Sequence, residues 1–110
     1  MDNLRTPNRG AARALIVGGG APEAGRVAEA LAPDAQVICF AADRAAADTV
    51  RATIQARLPH ARVAVMLGDP ALLVHKVSGP FDLILDAHQG GAPRQARLRA
   101  LLAEGGELYG

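Results

Sequence analysis

Three consecutive glycines, Gly18, Gly19 and Gly20, form the first of four short segments whose residue types could do chemistry. They follow the apolar stretch ALIV and precede Pro22, which suits the first turn of a helix. Glycines between a buried strand and a helix N-terminus let a ligand approach bare backbone with unpaired N–H groups. The alternative is a turn that only links strand to helix, and the motif alone does not decide between them.

Carboxylates occupy the next two segments. Asp43 follows Gly20 at roughly the 20-residue spacing at which an acid after a second strand holds a ribose diol. Gly68 and Asp69 follow a later apolar stretch, where the carboxylate could accept a hydrogen bond from an exocyclic amine. Both aspartates also stand just before a helical segment, so each could instead be a helix N-cap.

A carboxylate and an imidazole make up the last segment. Asp86 ends an apolar stretch, and His88 follows two residues later. Together they could accept a proton as a general base, or contribute to a metal site. Two candidate ligands do not make a metal site, so we expect none.

Alternating strands and helices must bring these segments together. Apolar stretches without helical periodicity predict strands at residues 14–17, 35–40, 62–67, 81–86 and 107–109. Amphipathic stretches between them predict helices. This alternation predicts an α/β fold, a Rossmann-like doubly wound parallel sheet of about five strands in a three-layer α/β/α arrangement. Ligands bind such sheets beyond the carboxyl ends of the strands, where all four segments would lie.

Turn residues set the expected boundaries. Residues 33–34 are expected to form a loop, residues 70–77 a short helix, and residues 105–106 the cap of the last helix. Residues 1–12 show no apolar periodicity and are expected to form a flexible tail. Residues 13–110 are then a single domain.

Composition and charge exclude several classes of function. A net charge of +1 argues against a nucleic-acid partner. No apolar stretch approaches the roughly 20 residues of a membrane span, and the N-terminus has no signal-peptide pattern, so we expect no membrane partner. The single cysteine, Cys39, cannot form an internal disulfide. A cytoplasmic location is expected, because lone thiols suit a reducing compartment.

The four segments, in this order, resemble those of the class I S-adenosylmethionine-dependent methyltransferases. The stretch VAVMLGDPALLVHKVSGPFDLILDAH is similar to the third-to-fourth-strand region of the catechol- and caffeoyl-CoA-type O-methyltransferases. LLAEGGELY is similar to their turn into the fifth strand. The resemblance implies that residues 18–20 hold the methionine and ribose of the cofactor. It also implies that Gly68 and Asp69 contact adenine and that Asp86 and His88 lie near the transferred methyl group.

The sequence departs from that family in several places. Ile16 stands where the family has an acid two residues before the first loop glycine. Ala41 stands where an acid grips the ribose hydroxyls, with Asp43 two residues later. DAHQGG replaces the Asp-x-Asp of the metal-dependent members. Glu23 occupies the place of the third glycine of the dinucleotide fingerprint, and its carboxylate would repel the pyrophosphate of NAD or FAD.

Two functions follow from this pattern. The first is an enzyme that passes the methyl group of S-adenosylmethionine to a small hydroxylated acceptor, with Asp86 or His88 taking the hydroxyl proton. The second is a non-catalytic methyltransferase-like module that acts by association. Because the family's last two strands are missing from the sequence, the fifth strand would be an exposed edge. A homo-oligomer or a partner chain is expected to cover residues 107–109. A phosphoacceptor receiver domain is excluded, because glycines rather than clustered acids follow the first strand.

Overall fold

A computed structural model describes residues 10–87 and 92–109 of the chain. Its helices and strands, in chain order, are β1 (Ala11–Val17), α1 (Ala21–Ala30), β2 (Leu31–Ala41), α2 (Arg44–Arg57), β3 (Arg62–Leu67), α3 (Pro70–Leu73), β4 (Phe81–Asp86), α4 (Ala92–Ala100) and β5 (Leu102–Tyr109). The first strand therefore takes in Ala11 and Ala12 from the expected tail, whose residues 1–9 lie outside the described part.

The five strands form one parallel sheet in the order β3-β2-β1-β4-β5. The chain starts in the middle strand, runs outward to β3, and then crosses back to add β4 and β5 on the other side. The order therefore reverses between β1 and β4, which confirms the doubly wound α/β fold. We call this place, at the carboxyl ends of β1 and β4, the switch point; it is where such sheets bind ligands.

Apolar side chains cover both faces of the sheet. Helices α1 and α2 pack on one face, where Ile16 and Ile54 are fully buried. Helices α3 and α4 cover the other, where Leu15, Phe40 and Leu98 are fully buried. Successive residues of a strand face opposite layers, so a strand buried on both sides shows no polar alternation. No helix in the described part of the chain has the length and apolarity to cross a membrane.

The single cysteine belongs to the core. Cys39 is fully buried in β2, and desolvation raises the pKa of its thiol to about 11. Since the thiolate is the reactive form, Cys39 is an inert packing residue at neutral pH. A cytoplasmic location stays a prediction.

The expected loop at residues 33–34 is wrong, because both residues lie inside β2. This strand starts at Leu31, directly after α1. Its pairing with β1 is interrupted between Leu31 and Gln36, so Pro33 falls in a stretch outside the regular ladder. A proline is tolerated there because its missing N–H removes no ladder hydrogen bond.

The expected cap at residues 105–106 is also wrong. Helix α4 ends at Ala100, and both glycines lie in β5, where pairing with β4 is interrupted. Gly105 has a φ of +81°, and a Cβ on Gly106 would lie 2.9 Å from the carbonyl oxygen of Phe81. The glycines therefore allow the strand to depart from regular pairing at this point.

Helix α3 is a single turn and ends before the predicted end of the helix. The turn that follows it still buries Val77, which accounts for the apolar spacing in the sequence.

Candidate functional site at the carboxyl edge

Backbone hydrogen bonds join all four segments at the carboxyl edge of the sheet. The N–H groups of Gly18, Gly68 and Ala87 donate to the carbonyls of Phe40, Ala41 and Val17, respectively, at 2.9, 3.0 and 3.0 Å. These bonds tie the segment after β1 to the end of β2, the segment after β3 to the end of β2, and the segment after β4 to the end of β1. The convergence predicted from the alternating pattern is confirmed, although His88 lies outside the described residues.

Backbone conformation requires glycine at two of the three positions of the glycine loop, which consists of Gly18, Gly19 and Gly20. Gly18 has a φ of +76° and Gly19 a φ of +87°, which side chains rarely tolerate. Gly20 is the N-cap of α1, with a φ of −145° that any residue can adopt. A Cβ on Gly19 would lie 3.0 Å from Cβ and Cγ of Glu23 and 3.1 Å from Cβ of Ala87. The loop is therefore a tight turn packed between α1 and the segment after β4.

Glu23 occupies the N-terminus of α1. Its Oε1 accepts a hydrogen bond from the N–H of Gly20 at 2.7 Å, which is one half of a capping box. That hydrogen bond is the main cause that lowers the pKa of Glu23. An ionised carboxylate thus stands where a dinucleotide phosphate would bind. The geometry supports the prediction that a pyrophosphate is disfavoured here.

Asp43 and Asp69, the two exposed aspartates among the predicted site residues, are both helix N-caps, as the alternative interpretation predicted. Oδ1 of Asp43 accepts from the N–H of Ala46, and Oδ1 of Asp69 accepts from the N–H of Ala71, each at 2.9 Å. Within the described ranges, the second oxygen of each carboxylate accepts no hydrogen bond. Capping therefore uses one oxygen and leaves the other able to accept from a ligand; the cofactor roles stay predictions.

The two positions at which the resemblance places further acids are apolar and buried. Ile16 is fully buried in the layer under α1 and α2. Ala41 ends β2 with 4% of its surface exposed. Neither can accept a hydrogen bond through its side chain. A ribose at this edge could therefore not be held by either of these two side chains.

Asp86 is the one buried polar or charged side chain in the described part of the chain. It pairs with Val17 at the switch point, and its Oδ2 accepts a hydrogen bond from Nε2 of Gln95 at 2.9 Å. The carboxyl is fully buried and does not reach the surface in this conformation. Gln95 was not among the predicted site residues, since no local pattern connects α4 to the end of β4.

Two grooves on the surface are lined by none of the predicted site residues. One, of ≈ 270 Å³, lies between α1, β4 and β5. The other, of ≈ 130 Å³, lies between α2 and β3. Among residues 10–87 and 92–109, no three His, Cys, Asp or Glu side chains gather as a metal site would require.

Solved structures share this arrangement of strands and helices. A methyltransferase from Geobacter sulfurreducens superposes on 90% of this chain with a TM-score of 0.68 and 22% identity, and 51% of its own length is covered. The chain has the methyltransferase fold. The O-methyltransferase TomG from Streptomyces achromogenes, solved in complex with S-adenosylmethionine, superposes on 88% of the chain with a TM-score of 0.67 and 22% identity. The chain covers 47% of TomG.

The same fold is also found in a protein named as a decarboxylase. Precorrin 8w decarboxylase from Methanobacterium thermoautotrophicum superposes on 92% of this chain, with 54% of its own length covered, a TM-score of 0.68 and 20% identity. The chain spans about half the length of these structures. No protein-family model and no curated protein matches the sequence. Because one fold hosts different reactions, the function has to be argued from the site.

Proposed function

We propose that the chain binds S-adenosylmethionine at the carboxyl edge of the sheet and transfers its methyl group to a small hydroxylated acceptor. The observation that carries this proposal is the glycine loop at the switch point, whose helix N-terminus is filled by the ionised Glu23. Such a site suits a nucleoside without phosphates and with positive charge. The complex of TomG with S-adenosylmethionine supports the choice within this fold.

The residues present fit this cofactor in part. The glycine loop would hold its methionine and ribose, the open oxygen of Asp43 a ribose hydroxyl, and the open oxygen of Asp69 the adenine amine. S-adenosylmethionine would supply a methyl group bound to a positively charged sulfur, which leaves as the neutral thioether of S-adenosylhomocysteine. Alanine at position 41 removes one charged hydrogen bond to the ribose, which should cost about 1–3 kcal/mol, or about 5- to 150-fold in affinity.

The residues after β4 would serve the acceptor. The carboxyl of Asp86 is fully buried and accepts a hydrogen bond from Gln95. Of the two residues predicted to take the hydroxyl proton, His88 is therefore our candidate for contact with the acceptor. The glycine loop would fix the cofactor relative to this segment, so that methyl group and hydroxyl oxygen are aligned for in-line displacement.

Calorimetric titration of the purified chain tests the cofactor site. We expect a micromolar dissociation constant for S-adenosylmethionine. Asp69→Asn should raise it about 5- to 10-fold, because asparagine keeps the helix cap but can replace the open acceptor with an amide donor. Asp34→Asn, an exposed aspartate in the early part of β2, is the matched control and should leave binding unchanged. No heat at millimolar ligand from a folded sample would exclude the proposed cofactor.

The edge at β5 supports a second candidate, the non-catalytic module that acts by association. Strand β5 ends the sheet order, and the ≈ 270 Å³ groove lies beside it. Leu83, Leu85 and Tyr109 line this groove, and Arg26 and Glu29 line it from α1. Opposite charges on one patch are self-complementary across a two-fold axis, since Arg26 of each copy can face Glu29 of the other. We propose a second copy of this chain as the occupant.

Sedimentation velocity over a concentration series tests this association. We expect a dimer at tens of micromolar that dissociates on Glu29→Arg, because like charges would then face each other. The double variant Arg26→Glu with Glu29→Arg should restore the dimer. A monomer at every concentration contradicts self-association, and a heterologous partner would then be the remaining form of the module.

A further inference from the structure

Glu23 lies at the switch point, close to Gly19 and Ala87. Besides the hydrogen bond to Gly20, its Cβ and Cγ pack 3.0 Å from the position that a Cβ on Gly19 would take. The same position lies 3.1 Å from Cβ of Ala87, the first residue after β4. Glu23, Gly19 and Ala87 thus meet where β1 and β4 diverge, the place to which ligands of doubly wound sheets bind.

The carboxylate of Glu23 carries a negative charge that is held by backbone N–H groups and has no ion-pair partner among the described residues. The backbone N–H of Gly20 holds it ionised. The backbone N–H of Glu23 itself also favours the ionised form. Arg26, about one turn further along α1, acts on Glu23 through space without an ion pair between them, and is the smallest of the influences on this carboxyl. A cation bound at the switch point would therefore be stabilised by Glu23, while an anion would be repelled.

We infer that Glu23 makes the glycine loop selective for the charged sulfonium of S-adenosylmethionine over the neutral sulfur of S-adenosylhomocysteine. The inference rests on the proposed function and gives it a specificity-determining residue. The two ligands share their adenine, ribose, ammonium and carboxylate groups. They differ in one methyl group and one positive charge, so the ratio of their affinities isolates the effect of nearby charge.

Glu23→Gln tests this inference in the full chain. Glutamine keeps an oxygen that can accept from the N–H of Gly20, so the helix cap is retained while the charge is removed. Calorimetric titration should show the dissociation constant of S-adenosylmethionine rising about tenfold, with that of S-adenosylhomocysteine changing less than about twofold. Glu104→Gln, an exposed glutamate in β5, is the matched control and should leave both constants unchanged.

The salt dependence of wild-type binding is a second measurement that requires no variant. Raising the salt from about 0.05 M to about 0.5 M should reduce the preference for S-adenosylmethionine, because the screening length shortens. An unchanged affinity ratio in both measurements, or equal weakening of both ligands by Glu23→Gln, overturns the inference and leaves Glu23 a helix cap. Absence of wild-type binding to either ligand overturns the proposed function itself, so the two failures are distinguishable.

Discussion

Gly19→Ala is expected to destabilise the fold by about 2 kcal/mol, whereas Gly20→Ala should cost about 0.5 kcal/mol. At Gly19 a side chain meets two penalties at once. The φ of +87° is unfavourable for alanine, and the new methyl would lie 3.0 Å from Cβ and Cγ of Glu23 and 3.1 Å from Cβ of Ala87. At Gly20 the φ of −145° is one that any residue can adopt, and the nearest atom would be Oε1 of Glu23 at 4.0 Å.

Urea unfolding of the two variants beside the wild-type chain measures this difference. The midpoint for Gly19→Ala should fall clearly below that for Gly20→Ala, with unchanged slopes. Relief of the contacts at Gly19 requires Glu23 or Ala87 to move, and both stand at the switch point. Gly19→Ala should therefore also weaken ligand binding in the surviving folded fraction. Equal midpoints for the two variants would contradict the tight packing of Gly19 on these neighbours.

The fold was predictable because its strongest signals are local. Buried parallel strands are uninterrupted apolar runs, and each is followed by a turn signal and an amphipathic helix. The interruptions of the ladder were not predictable from such signals. Pro33 and the glycine pair at residues 105–106 have the composition of loops, yet both stand inside strands. What decides their place is pairing with β1 and β4, which sequence periodicity does not record.

The candidate site was predictable in position and less so in role. Asp43 and Asp69 each precede a helix at the carboxyl edge, and this single location allows both capping and ligand binding. The structure shows one oxygen of each carboxylate used for capping, an outcome that residue type alone could not give. The sequence alone indicated only that the carboxylate of Glu23 would repel a pyrophosphate. Its backbone hydrogen bond to Gly20 and its closeness to Ala87 emerge only once α1 is packed against the sheet.

Asp86→Ala is the second variant with a large expected effect. It should destabilise the fold by about 2–3 kcal/mol. The truncation removes a fully buried carboxyl and leaves the amide of Gln95 without the acceptor that it has at 2.9 Å. It also leaves a small void in a closely packed layer. Asp86→Asn should cost only about 1 kcal/mol, because asparagine fills the same space and keeps an oxygen that can accept from Gln95.

A double-mutant cycle with Gln95→Ala separates the hydrogen bond from the rest of the loss. If the two side chains stabilise each other, the double variant should be less destabilised than the sum of the single variants, by about 1 kcal/mol. Additive effects would mean that Asp86 is held by its other neighbours and that Gln95 contributes little. The measurement is urea unfolding of the wild type, both single variants and the double variant.

Asp86→Asn then separates structure from chemistry. This variant keeps the volume and one acceptor oxygen of Asp86 but removes its capacity to carry a negative charge. If it folds and binds S-adenosylmethionine as the wild type does, yet loses methyl transfer, the charge of Asp86 supports proton removal from the acceptor. If transfer persists, Asp86 only anchors α4 to the end of β4. The proton would then pass to His88 alone, and His88→Ala should abolish transfer while leaving the binding of S-adenosylmethionine intact.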